Sequence, residues 1–473
     1  MKVFHLSAEC YPVAKTGGLG DVAGALPKYQ CRAGIDASVV LPYYDKKFVR
    51  ENDFEIVYQA AGNLGNRPFN FQILKETTGK LGFDLYLVYI PGLLDRPEIY
   101  SYADEREQFI AYQLSFLDWM VQTEDKPDII HCHDHHAGLV PFLVSHSARY
   151  TSLASIPTVL TIHNGQYQGW LGWDKISYLP AIDLSKAGLL DWNGSINSLA
   201  AAVKCCWKYT TVSPGYLKEL AWNSNGLEYL FAGERAKGVG IINGIDTEVW
   251  NPATDSMIVK NYQSSSVAKG KLENKKSLCK EFELTSTKPL LAFIGRLVGE
   301  KGADLLPEAI ARSLTKHKGK LNIMVLGSGE PAIEAELKNL APLFKKYYNV
   351  FIGYDEMLSH RIYASADFLL MPSRVEPCGL NQLYALQYGT VPVVRSTGGL
   401  KDTVIDFEQP GGYGIRFEDA SIESICTAIN RAVLLSANTA SVDLLRKRMM
   451  ALDFSWDQSA NQYNALYNSL KRT

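Results

Sequence analysis

Arg296, Lys301 and Glu376 stand where residue type and setting are most apt for chemistry. Gly295-Arg296-Leu297 and Glu300-Lys301-Gly302 follow an apolar run at 290–294 and precede a helical pattern. Two fixed cations at a strand end suit a diphosphate, whose negative charge is concentrated. Pro372-Ser373-Arg374-Val375-Glu376-Pro377-Cys378-Gly379-Leu380 follows a second apolar run at 368–371. It sets one carboxylate at a strand end and a glycine at the next helix start. Beside anion-binding elements, Glu376 reads as a sugar-side contact, although a structural glutamate is the plainer alternative.

A glycine turn occurs twice. Thr16-Gly17-Gly18-Leu19-Gly20-Asp21 has an echo in Thr397-Gly398-Gly399-Leu400-Lys401-Asp402. Glycines let backbone approach an anion closely, and the helix that follows offers unpaired N–H groups. A packed turn is the alternative for either one alone. The first copy also fits G-x-G-x-x-A, with Asp45 at the later acidic position of a dinucleotide fingerprint. Against that reading, Gly18 lies a full loop beyond the first strand, and Lys15 precedes the glycines. The same order argues against a P-loop. Cys378 has no base placed by sequence and reads as a packed or substrate-lining thiol.

These residues need elements to hold them. Apolar runs at 3–8, 37–41, 85–90, 128–132, 158–162, 210–212 and 239–242 read as strands, with helical patterns at 19–33, 106–120 and 196–207 between several of them. Residues 251–286 are polar and read as a connector with a short helix. Strands resume at 290–294, 321–326, 350–352, 368–371 and 391–394. The alternation implies parallel βαβ units. The fold class is α/β, with two doubly wound domains at 1–246 and 247–455. A terminal helix, 456–473, is expected to join the first domain. Ligands of such sheets bind beyond the carboxyl ends of the strands, so both glycine turns are expected to face one cleft.

Composition limits the partners. A formal net charge of −2 leaves no electrostatic footprint for nucleic acid or an anionic membrane. No apolar run approaches the ~18 residues of a membrane span, and residues 1–10 are too short in apolar run for a signal peptide. The eight cysteines contain no C-x-x-C pair, which suits free thiols in a reducing cytoplasm. His131, His133, His135 and His136 crowd one segment, and alternate residues of a strand share a face, so a metal site is one reading of that segment. Trp222, Trp250 and Trp456 read as core or interface aromatics.

KTGGLGDV, HCHDHHAG, TIHN, INGID, GRLVGEKG, PSRVEPCGL and STGGLKDT occur in an order that resembles the bacterial glycogen synthases and plant starch synthases, retaining glucosyltransferases of family 5. The resemblance covers nearly the whole chain. It implies a GT-B fold, two Rossmann-like domains around a deep cleft. It implies transfer of glucose from ADP-glucose to the non-reducing end of an α-1,4-glucan, with release of ADP and no metal or cofactor. It places Lys15, Gly17, Gly18 and Asp21 near the donor, and Arg296 and Lys301 on the departing diphosphate. The backbone of Thr397, Gly398, Gly399 and Leu400 is expected on the same phosphates. Tyr354 is expected near adenine, and Glu376, Cys378, Gly379 and Leu380 along the transferred glucose. His163 and Asn164 are expected near the reacting carbon, Asn243 along the cleft, and Asp134, His135 and His136 on the acceptor side.

One position departs from the family, and one departs from the wider retaining group. His135 stands where the family often has tryptophan, and Tyr384 stands where the wider retaining group has a second glutamate, as in bacterial glycogen synthases. In a metal-free family the histidine segment reads as a glucan-binding loop, so no metal is expected. UDP-glucose as donor, a non-catalytic glucan-binding homologue and a nicotinamide enzyme remain the alternatives. Oligomeric state is not legible.

Overall fold

The computed structural model describes residues 1–470. It divides into two compact units, Met1–Asn243 with the terminal helix from Trp456, and Gly244–Ser455. The break falls three residues before the boundary read from sequence. The reason is local: Ile245 N–H donates to the Phe454 carbonyl, and Ile245 is buried in the second unit's core. The terminal helix spans Trp456–Leu470, and the last three residues of the segment read as 456–473 lie outside the described residues.

The first unit carries β1 (Lys2–Leu6), β2 (Asp36–Pro42), β3 (Phe54–Leu64), β4 (Arg67–Glu76), β5 (Asp84–Tyr89), β6 (Ile129–His133) and β7 (Thr158–Ile162). A small antiparallel sheet follows, β8 (Trp170–Leu171), β9 (Asp191–Trp192) and β10 (Ser195–Asn197), and then β11 (Lys208–Thr211) and β12 (Gly238–Gly240). The main sheet has the order β12-β11-β7-β6-β1-β2-β5-β4-β3. It is parallel from β12 to β5 and antiparallel over the β3–β4 edge. Chain order runs outward from β6 through β7 and β11 to β12 on one side and from β1 to β2 on the other, where β5, β4 and β3 then follow in reverse, so the β1–β6 pair is the switch point.

Helix Trp456–Leu470 belongs to this unit by its packing. Trp456, Ala460, Tyr463, Tyr467 and Leu470 recur at helical spacing and are buried with Val22, Leu26 and Tyr29 of helix Gly18–Arg32. The segment at 196–207, read as one helix, begins instead in strand β10 and turns helical only at Ser198–Cys205, where the Asn197 side chain caps the Ala200 N–H.

The second unit carries a parallel sheet of β13 (Leu290–Ile294), β14 (Asn322–Gly327), β15 (Tyr348–Ile352), β16 (Phe368–Met371), β17 (Val391–Arg395) and β18 (Ile415–Phe417), ordered β15-β14-β13-β16-β17-β18. Its switch point is β13–β16. Trp250 is sandwiched between His360 and Tyr384, each ring centroid 3.8 Å away, so Tyr384 serves the core at the position where the wider group has glutamate. Trp250 is half-buried against the core and Trp456 is buried, but Trp222 is 67% exposed and is not a core aromatic.

Candidate active site

The switch point of the second sheet explains how distant residues meet. Residues after β13 and after β16 leave adjacent strands at the same edge, so Lys301 and Glu376 are neighbours although 75 residues apart. Lys301 Nζ donates to both Glu376 oxygens at 2.8 Å, and Ser373 Oγ donates to Oε2 at 3.0 Å. The carboxylate is nearly buried, the ammonium less so. Arg296 is 63% exposed, and its guanidinium lies 3.7 Å from Glu300. Arg374 holds Asp304 and the Gly299 carbonyl, and Arg395 holds the carbonyls of Ser373 and Arg374. These two arginines brace the loop. Sequence singled out neither as functional, because their partners are backbone groups and a remote aspartate.

The second glycine turn lies against this loop. Gly399 N–H donates to the Glu376 carbonyl at 3.1 Å and approaches that of Pro377 at 3.2 Å, while Thr397 N–H donates to the Arg395 carbonyl. The backbone N–H groups of Thr397 to Leu400 are those that the family resemblance sets toward phosphate. Two of those groups are already spent on the protein. The turn is glycine-rich because a Cβ at Gly398 or Gly399 would collide with the carbonyl oxygen of Glu376 or Cys378. Cys378 is buried, Gly379 has φ +74, and Leu380 precedes helix Asn381–Gln387. Tyr354, just beyond β15, is 83% exposed.

The first glycine turn is built differently. Glu9, just past β1, accepts from Thr16 N–H at 2.6 Å, Gly17 N–H at 2.9 Å, Thr16 Oγ1 at 2.8 Å and Tyr100 OH at 2.8 Å. A protein carboxylate thus occupies part of the cradle the sequence suggested for a ligand anion. Sequence reasoning missed Glu9; its signal is an acidic residue directly after an apolar strand. Lys15 Nζ donates to Asp21 at 2.6 Å. A Cβ added at Gly17 or Gly18 meets nothing within 4 Å. The two turns share residues and differ in surroundings.

That difference predicts opposite behaviour. Gly399→Ala is expected to lower stability by about 1–3 kcal/mol through overpacking and to displace Glu376. Gly18→Ala, which removes a glycine from a helix start, is expected to melt at or above the parent temperature. Equal thermal midpoints for the two variants would mean that the Gly399 contact is not tight in solution.

At the other switch point, Asp134 follows β6 with φ +54 and receives His163 N–H at 2.7 Å, so β6 and β7 are tied at their ends. Burial pushes the Asp134 carboxyl up to about 7, against the opposing pull of the His163 and Asn164 backbone N–H groups. Asn164 Oδ1 accepts Gln166 N–H and shapes the turn. Asn243 is buried, and its Oδ1 has no partner among the described residues. His136 stacks on Tyr100, and its ring centroid is 3.8 Å from that of His135. His135 lines a cavity of about 300 Å³ with Arg106, Phe109, Tyr167, Trp170 and Ser198. Tyr167 and Trp170 were not legible as site residues; partly exposed aromatics beside a cavity are a sugar-binding signature only once they are placed in space.

The histidines behind this edge are held neutral. Burial lowers His5 to about 4 and His163 to about 3, and it takes His131 and His133 well below the ordinary value. A folded-state pKa below the unfolded one gives stability that is present above the unfolded pKa and lost as pH falls toward the folded one. His5 and His163 alone are expected to remove about 2 kcal/mol each between pH 7 and pH 5. Asp134 works in the opposite sense, since its raised pKa costs stability as pH rises, and the histidines outnumber it. Denaturant unfolding followed by tryptophan fluorescence should therefore shift to lower denaturant at pH 5, with proton uptake. An unshifted midpoint would mean that the imidazoles titrate normally.

Comparison with known proteins settles the family. Residues 2–233 match the model of the starch synthase catalytic domain, and residues 274–444 match glycosyl transferases group 1. A glycogen synthase from Flavobacterium johnsoniae is 53% identical over 468 residues, 99% of each chain. The chain belongs to the glycogen and starch synthase family. A glycogen synthase from Francisella tularensis is 36% identical over 100% of this chain and 99% of that one. The catalytic domain of starch synthase IV from Arabidopsis thaliana, solved with ADP and acarbose, matches with TM-score 0.88 at 31% identity over 99% of both chains. The fold class is thereby the family's GT-B type, and the activity is extension of an α-glucan chain from a nucleotide sugar. Among the described residues no helix is long and apolar enough to cross a membrane.

Proposed function

We propose that this glucan-extending enzyme uses ADP-glucose, retains the anomeric configuration and needs no metal or cofactor. The observation that carries the reading is the Lys301–Glu376 pair beside Arg296 at the β13–β16 switch point. Glycosyl transfer from a nucleotide sugar builds negative charge on the leaving diphosphate. Arg296 and Lys301 stabilise that charge more in the transition state than in the ground state. Glu376, braced by Ser373 and Lys301, accepts hydrogen bonds from hydroxyls of the transferred glucose. Cys378, Gly379 and Leu380 line that glucose, and Tyr354 offers an exposed ring to the adenine. Lys15, freed from Asp21, adds a further cation near the donor.

The first unit supplies the residues of the sugar and acceptor side. His163 and Asn164 contact the reacting sugar, and Asn243 keeps an acceptor oxygen available. Asp134, His135 and His136, with the cavity bounded by Tyr167 and Trp170, take the glucan. The starch synthase IV relative was solved with ADP, which supports an adenine nucleotide here. The eight cysteines are free thiols, which supports a reducing cytoplasm as the setting.

The test is a donor assay. Purified protein receives ADP-glucose or UDP-glucose with glycogen and EDTA, and released nucleotide and labelled glucan are measured. Growth from ADP-glucose in EDTA is expected. Growth from UDP-glucose alone would overturn the donor, and activity abolished by EDTA would overturn the metal-free reading.

A further inference from the structure

His5, His131 and His133 bring ligand atoms within 4.8 Å of one another, a spacing that would admit a metal ion. Their ring nitrogens are engaged otherwise. His131 Nδ1 meets Tyr467 OH and its Nε2 meets Thr161 Oγ1, both at 2.6 Å. His5 Nε2 lies 2.8 Å from Gln30 Oε1, and His5 Nδ1 lies 3.1 Å from His133 Nε2. His133 Nδ1 lies 2.9 Å from His163 Nε2. Every ring nitrogen of the trio has a protein partner, and one line of contacts runs from Gln30 through His5 and His133 to His163.

Such a line has a direction. An amide oxygen only accepts, and a neutral imidazole has one donor and one acceptor nitrogen. With Oε1 of the Gln30 amide facing His5, and its buried Nε2 without a hydrogen-bond partner among the described residues, the proton of His5 lies on Nε2, which leaves His5 Nδ1 as an acceptor. His133 must then donate from Nε2 and accept at Nδ1, and His163 must donate from Nε2. His163 Nδ1 is left with a lone pair and no protein partner among the described residues. Directed contacts of this kind need neutral rings, and full burial of His5 and His133 keeps them so. The strands hold the line in place. His5 and His131 are register partners across β1 and β6, and His131 and His133 share a face of β6.

We propose that Gln30, His5 and His133 are positioning residues that set the tautomer of His163, so that its Nδ1 acts as a hydrogen-bond acceptor toward a substrate hydroxyl. The hydroxyl part of this statement rests on the reading above that His163 contacts the sugar; the tautomer part does not. A lone pair at Nδ1 takes the proton of a hydroxyl and turns away a group that can only accept.

The experiment is nitrogen NMR of the full-length protein carrying 15N-histidine, with the His163 resonances identified by their loss in His163→Asn. In the parent protein His163 Nδ1 is expected at the unprotonated position and Nε2 at the protonated one. The parent spectrum requires no destabilising variant. Gln30→Met, similar in shape and without an amide, is expected to shift both resonances toward a mixture of tautomers. It should lower kcat roughly 3- to 10-fold, the worth of about one hydrogen bond, with less change in KM for ADP-glucose. In His133→Phe the His163 resonances should no longer respond to Gln30→Met. A protonated Nδ1 in the parent, or a loss of turnover in Gln30→Met with His163 unshifted, overturns the proposal. A shifted tautomer with unchanged turnover upholds the chain and removes His163 from the sugar contact instead.

Discussion

Lys301→Ala is expected to lower kcat by roughly 10²–10³-fold, the usual cost of removing one preorganised group that stabilises developing charge. Two losses coincide at this position. The diphosphate loses a cation, and Glu376 loses its only ionic partner within 3 Å among the described residues, keeping Ser373 Oγ. Breaking a pair whose carboxylate is almost buried leaves that charge uncompensated. Breaking a fully buried pair costs about 3–5 kcal/mol, which is an upper bound here because the ammonium is partly solvated. Steady-state kinetics with ADP-glucose and glycogen check the first effect, and denaturant unfolding checks the second. Turnover within a few-fold of the parent would remove Lys301 from leaving-group stabilisation.

Glu376→Ala is expected to abolish most activity, on the order of 10³-fold in kcat/KM, while ADP still binds. Here the loss falls on the sugar, so binding of the nucleotide product should weaken only modestly. Calorimetric titration with ADP separates the cases: if ADP binding vanished as well, Glu376 would be organising the loop and not the glucose. The two variants also constrain each other. Because the partners neutralise one another, Lys301→Ala/Glu376→Ala should be more stable than Lys301→Ala alone, although both are strongly impaired in turnover. A double variant less stable than both single ones would show that the pair is not coupled in solution.

Most of the repeating architecture was legible in the sequence. Strands such as 290–294 and 368–371 are short apolar runs bounded by turns, and burial on both faces of a parallel sheet produces that pattern directly. The β3–β4 hairpin was not legible because it forms the edge of its sheet, with many of its residues facing water, and carries no continuous apolar run. The small sheet β8–β10 is made of pieces of two or three residues, below what periodicity can register. The C-terminal helix was legible as a helix from its apolar spacing, and its place on the first unit follows from Tyr463 and Tyr467 finding burial there.

For the candidate site, the sequence by itself determined which chemical groups are present and at which strand ends they emerge: the cations after β13, the carboxylate after β16, the two glycine turns and the histidine segment. Only the tertiary structure decided the partnerships. It put Lys301 on Glu376, Glu9 under the first glycine turn, the Glu376 carbonyl under the second, and Gln30 at the head of a line that ends at His163. The physical reason is that chain-local patterns encode backbone conformation and burial, whereas a hydrogen-bond partner depends on which strands lie side by side. Strand order at each switch point is a property of the packed sheet, and no short stretch of sequence contains it.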